Sequence, residues 1–86
     1  MSYSVLLKKS AEKEFKSLQG NIQLKITDAL IGLETNPFPT KVKKLQNFEG
    51  YRIRVGDYRI LYTINSVKKI IEIFSIGHRK EVYKNL

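Results

Sequence analysis

Tyr51-Arg52-Ile53-Arg54-Val55-Gly56-Asp57-Tyr58-Arg59-Ile60-Leu61-Tyr62 alternates with period two on both sides of a Gly-Asp pair. Period two is the signature of a strand, and a glycine opening a two-residue loop suits a type II′ turn. With Gly56 and Asp57 as the loop, Val55 pairs with Tyr58, Arg54 with Arg59, Ile53 with Ile60 and Tyr51 with Tyr62. Tyr51, Ile53, Val55, Tyr58, Ile60 and Tyr62 then share one face, suited to a core, and Arg52, Arg54 and Arg59 share the other. Like charges placed directly opposite each other destabilise a sheet by a few tenths of a kcal/mol up to about one. An anionic ligand explains such a face better than stability does.

Outward from this hairpin the chain divides simply. Tyr3 to Leu7 reads as a first strand. Ser10 reads as the N-cap of a helix through Leu18, with Ala11, Phe15 and Leu18 on one apolar stripe. Gly20 breaks it, and Asn21 reads as the cap of a second helix, where Ile22, Ile26, Ala29, Leu30 and Leu33 recur at helical spacing. That helix stops before Asn36-Pro37, because the residue before proline is pushed out of the α region. Phe38 to Glu49 reads as a loop with a basic cluster at Lys41, Lys43 and Lys44. After the hairpin, a turn around Ser66-Val67-Lys68 leads into Lys69 to Ile76, apolar on both faces as a central strand is, and Gly77 closes it. His78 to Leu86 reads as a short helical tail. The expectation is a single α+β domain over residues 1–86, ordered β-α-α-β-β-β, with two N-terminal helices packed on a mainly antiparallel four-stranded sheet. The neighbour of the first strand is not fixed by pattern.

Composition narrows the chemistry. The chain has 86 residues, no cysteine, and sixteen Lys/Arg against eight Asp/Glu, for a net charge of +8. That balance favours nucleic acid or an acidic protein as partner. From Lys41 to Arg59 stand six cations and two anions, so the excess is partly concentrated. No apolar run approaches the eighteen or so residues of a membrane span, and the N-terminus is too short in apolar residues for a signal peptide. A cytoplasmic protein without membrane contact is expected. One histidine and the absence of HExxH, P-loop and GxGxxG spacings leave no metal or cofactor motif, so neither a metal nor a small-molecule cofactor is expected. Scattered carboxylates argue against a paired-carboxylate hydrolase.

What remains is guanidinium, phenol and one imidazole. Guanidinium forks bind phosphate bidentately and stay charged at any working pH. Arg52, Arg54 and Arg59, with Arg79 beyond the next strand, could form a clamp of four. Cations preorganised around a phosphodiester stabilise the charge of its cleavage transition state, and RNA carries its own nucleophile in the 2′-hydroxyl. The same arginines could equally bind nucleic acid, or acidic groups of a partner, without any chemistry. His78 reads as a turn residue at a strand end, and Tyr83 could pack through Val82-Tyr83-Leu86 as readily as act.

Lys44-Leu45, the hairpin Tyr51 to Tyr62, and Ile76-Gly77-His78-Arg79-Lys80-Glu81-Val82-Tyr83 together resemble the RelE/ParE superfamily of toxin–antitoxin toxins, on the RelE side. The resemblance spans the whole chain. It implies an mRNA interferase that cuts messenger RNA in the ribosomal A site without metal and is silenced by a cognate antitoxin. By position it implies that Arg52, Arg54, Arg59 and Arg79 hold the scissile phosphate and that Tyr83 orients a base or assists proton transfer. Lys41, Lys43, Lys44 and Lys80 would supply diffuse, salt-dependent attraction to RNA. The best-known members of the family carry lysines where this chain has Arg52 and Arg54, and an arginine does not exchange protons as a lysine can. Two other readings share the fold: a ParE-like poison of DNA gyrase that cuts no RNA, and an inactive member that only partners an antitoxin.

Overall fold

The structure, a computed structural model, describes residues 2–46 and 49–78. Its elements are β1 (Ser4–Leu7), α1 (Lys9–Lys16), α2 (Gly20–Thr35), β2 (Lys43–Lys44), β3 (Tyr51–Val55), β4 (Tyr58–Asn65) and β5 (Ile70–His78). The strands form one five-stranded sheet in the order β1-β5-β4-β3-β2. All neighbours are antiparallel except β1 and β5, which run parallel. The α+β class and the order of helices before the hairpin are as expected. The expected helical tail lies outside the described residues.

The hairpin has the expected register at every pair, from Val55 opposite Tyr58 to Tyr51 opposite Tyr62. Gly56 carries φ +61°, while the only non-glycine with positive φ among the described residues is Lys69. Positive φ at the first loop position alone is the type II′ pattern. β5 is central, between β1 and β4, as its two apolar faces require. It runs on through Gly77 to His78, because Tyr58 and Arg59 of the longer β4 still offer it partners.

Three expectations need correction. The sheet has a fifth strand: Lys43–Lys44, read as loop, pairs with Arg52 and Tyr51. Ser10 does not cap α1. Lys8 holds the cap position without a side-chain bond, and the Ser10 hydroxyl donates instead to the carbonyl of Phe74 at 3.2 Å. Asn21 does not cap α2 either, since that helix starts at Gly20 with Gln19 before it. The connection between the helices is fastened further in, where Gln23 Nε2 donates to the Phe15 carbonyl at 3.0 Å. For Ser10, a contact with a distant partner displaced the local capping pattern.

Both helices pack on one face of the sheet. Ala11, Ile26, Leu30 and Leu33 meet Ile53, Ile60, Tyr62, Ile71, Ile73 and Ile76 in a single core. Phe15, Leu18, Ile22 and Ala29, the remaining residues of the two helical stripes, pack around it. Tyr62 is fully buried and donates its phenol proton to the Pro37 carbonyl at 2.9 Å, which ties the loop after α2 to the middle of β4. Between Leu61 and Tyr62 the β4–β5 register shifts. Leu61 faces Ser75 and Tyr62 faces Ile73, which leaves Phe74 as the extra residue of a bulge. Gly50 meets the same region: a Cβ there would stand 3.0 Å from the Tyr62 carbonyl and 3.5 Å from the Phe74 ring, so no larger residue fits without displacing backbone.

Candidate nucleic-acid interface

Alternation along β3 and β4 puts the apolar residues of the hairpin against the helices and turns Arg52, Arg54 and Arg59 to the far face of the sheet. Register then orders that face in rows across the strands. Arg54, Arg59 and Gly77 form one row; Lys43, Arg52, Leu61 and Ser75 form the next. In a two-residue hairpin the pair flanking the loop exchanges both hydrogen bonds. Arg54 and Arg59 are therefore a non-hydrogen-bonded pair, the closer kind, with Cα atoms about 4.5 Å apart. The two guanidinium stems leave the backbone side by side.

The environments of the three arginines differ. Arg54 is exposed and Arg52 half-buried, whereas only 7% of Arg59 is accessible. Arg59 is engaged, its Nη1 donating to the Tyr58 carbonyl at 3.5 Å. Leu61, beside it on the same face, is fully buried, so the centre of the far face is packed. A buried guanidinium beneath two more accessible ones raises the potential at that surface, because charges removed from water are less screened. Arg52 and Arg54 are the more accessible of the three guanidinium groups, and Arg59 is the buried one.

The loop lysines separate. Lys43 shares the row of Arg52. Lys44 pairs with Tyr51 and so alternates to the helix side, and Lys41 lines an apolar groove with Ala29, Gly32, Leu33 and Ile53, whose rim Arg54 shares. Arg79, Lys80 and Tyr83 lie outside the described residues. His78 pairs with Tyr58 and stands edge-on to its ring at 5.7 Å, within a pocket that Glu14, Ser17 and Leu18 also line. It therefore faces the helices, away from the arginine rows. Tyr62 is no proton carrier: burial, reinforced by the neighbouring Tyr51, pushes its phenol far above its ordinary pKa. The sequence reading missed Ser75, which the Phe74 bulge places in the row of Arg52. Nothing local in the sequence marks that bulge.

With the fold and the arginine rows in place, comparison with known proteins assigns the family. Residues 5–83 match the ParE toxins of type II toxin–antitoxin systems, parDE. RelE1 of Methanocaldococcus jannaschii is 30% identical over 89 residues, covering 99% of each chain. The archaeal RelE–RelB complex of Pyrococcus horikoshii superposes with a TM-score of 0.82 at 31% identity, covering 94% of this chain and 99% of that one. The RelB–RelE antitoxin–toxin complex of Methanococcus jannaschii gives 0.75 at 28% identity, over 94% and 98%. The chain belongs to the RelE/ParE superfamily of type II toxin–antitoxin toxins.

Proposed function

We propose that this protein is the RelE-like toxin of a toxin–antitoxin pair, a metal-independent endoribonuclease that cuts messenger RNA in the ribosomal A site. The observation that carries the reading is the pair of adjoining rows on the far face, Arg54 beside Arg59 and Arg52 beside Lys43. Two neighbouring rows of cations suit a single phosphodiester whose charge rises during cleavage. The 2′-oxygen attacks the adjacent phosphorus and the bond to the 5′-oxygen breaks. This leaves a 2′,3′-cyclic phosphate on one fragment and a 5′-hydroxyl on the other. Arg52, Arg54, Arg59 and Arg79 neutralise the phosphoryl oxygens. The arginines move no protons, so Tyr83 or ribosomal RNA carries the proton from the 2′-hydroxyl and returns it to the leaving oxygen. Lys41, Lys43, Lys44 and Lys80 attract RNA without reading its sequence.

A cognate antitoxin of the RelB kind, acidic or amphipathic, holds the toxin silent in the cytoplasm; RelE relatives are seen in complexes with RelB. The test is translation with purified protein and a map of mRNA breaks. Codon-phased breaks on ribosomes are expected, and intact mRNA on stalled ribosomes would defeat the reading. A second reading, a poison of DNA gyrase, draws on the ParE description of the matched family. Induction that triggers DNA-damage signalling while mRNA stays intact would select it.

A further inference from the structure

Apart from Tyr62, two buried residues among those described are polar, Arg59 and Ser75, each 7% accessible. Both lie on the far face. Ser75 stands opposite Leu61 and Arg59 opposite Gly77, which makes them diagonal neighbours across β4 and β5, about 7–8 Å apart. Ser75 also shares its row with Arg52, two strand spacings or about 10 Å away. Leu61 stands between them and is fully buried, so the gap has an apolar floor. The Phe74 bulge creates this arrangement. Without the extra residue Leu61 would face Phe74, and a ring would occupy the place of the hydroxyl.

The hydroxyl is the informative part. A hydroxyl taken out of water costs free energy unless it is hydrogen-bonded. Ser10 and Ser17 are exposed, yet each donates to a main-chain carbonyl, at 3.2 and 2.7 Å. Ser75 is almost wholly buried and makes no hydrogen bond among the described residues. Its Oγ is nevertheless not sealed from solvent, so the accessible part of the residue includes the hydroxyl. An acceptor arriving on the far face can reach it there. The neighbouring guanidinium groups select an anionic acceptor. A further cation would add to the repulsion between Arg54 and Arg59, whereas a hydroxyl donates without charge. To a phosphoryl oxygen its bond is charge-assisted, and that bond strengthens as charge builds up during cleavage.

We propose that Ser75 is a further substrate-contacting residue of the site, its hydroxyl donating to a non-bridging oxygen of the scissile phosphate between Arg52 and Arg59. The inference rests on the ribonuclease reading and adds a neutral donor to it. The experiment follows single-turnover cleavage by the full chain on ribosomes programmed with one mRNA, over a range of protein concentrations. It compares the unaltered protein with Ser75→Ala, Ser75→Thr and Ser66→Ala, the last in the exposed turn between β4 and β5. Urea denaturation gives the unfolding midpoint of each. Ser75→Ala should cut about ten- to a hundredfold more slowly at saturation, the loss of one hydrogen bond to a charged group. Its half-saturating concentration should change little, as for a contact that strengthens in the transition state. Its midpoint should be equal or higher, because the buried hydroxyl has gone. Ser75→Thr keeps the donor and should keep most of the rate, and Ser66→Ala all of it. Ser75→Ala cutting at the unaltered rate would overturn the assignment. So would a lower midpoint for Ser75→Ala, which would make the hydroxyl part of the fold, or a folded Ser75→Thr as slow as Ser75→Ala. An unaltered protein that cuts no mRNA would instead sink the ribonuclease reading, and the role of Ser75 with it.

Discussion

Arg54 is held opposite Arg59 by a two-residue turn that leaves the register no freedom, and the cost of that pairing is measurable. Arg54→Ala removes the repulsion of a directly opposed like charge, so the folded protein should gain up to about 1 kcal/mol. The same change should abolish RNA cleavage or growth arrest. Urea denaturation and a toxicity assay on one variant check both halves, and a variant that is neither more stable nor less active would contradict the assignment. Arg59→Ala should behave in the opposite sense on stability. Only 7% of Arg59 is accessible, and removing it leaves a void and takes a donor from the Tyr58 carbonyl, for a loss of roughly 1–3 kcal/mol. Tyr62→Phe isolates a third effect, because it deletes one hydrogen bond and little volume. The Pro37 carbonyl then loses its buried donor, at a cost of about 1–3 kcal/mol, with cleavage per folded molecule unaltered. These arginines were legible in the sequence because each depends on a local turn and a period of two. Ser75 was not, because its row depends on strands far apart in the chain and on an extra residue at Phe74.

The ladder between β1 and β5 ends early, and α1 completes it. The last strand pair joins Leu7 to Ile73, after which Lys8 N–H donates to the Ile73 carbonyl at 2.9 Å and the chain turns into the helix. The next groups on that edge of β5 are met by side chains of α1. Ser10 Oγ donates to the Phe74 carbonyl, and Glu14 Oε1 accepts from Ile76 N–H at 3.1 Å. A helix thereby stands in for a missing strand, as a sheet edge of this length requires. Glu14→Ala should therefore cost about 1–2 kcal/mol and speed amide exchange at Ile76 while leaving Ile60 and Ile73 protected. Exchange that rises evenly over the sheet, or nowhere, would show that the contact does not hold the edge. The same arrangement explains what sequence reading lost at this scale. Ser10 has the chemistry of a cap, yet its partner lies 64 residues away, where no local pattern could point. The parallel pairing of β1 was invisible for the same reason, and Lys43–Lys44 is too short to show alternation. The long helix stripes and the hairpin were read correctly because their periods repeat within a few residues.

At the scale of the molecule, the net charge of +8 matters less than where it lies. The principal extents are 32 × 29 × 25 Å, and even the shortest exceeds the screening length of about 8 Å at physiological salt. Cations on the helix side cannot contribute appreciably to a phosphate bound on the far face. Lys16, for instance, is on α1, where it pairs with Glu12 at 3.0 Å. RNA affinity should thus depend on the few cations of the arginine rows, and its salt dependence should count them. Each phosphate contact to a single strand contributes a slope of roughly 0.7 in a plot of log affinity against log salt. The double substitution Arg52→Ala/Arg54→Ala removes two contacts and should shallow that slope by about 1.4. Lys16→Ala, which changes the net charge by one unit, should leave it unaltered. Fluorescence anisotropy with a single-stranded RNA across a salt series reads both slopes. If Lys16→Ala shallowed the slope as much as one arginine, binding would follow total charge, and the far face would lose its claim to be the interface.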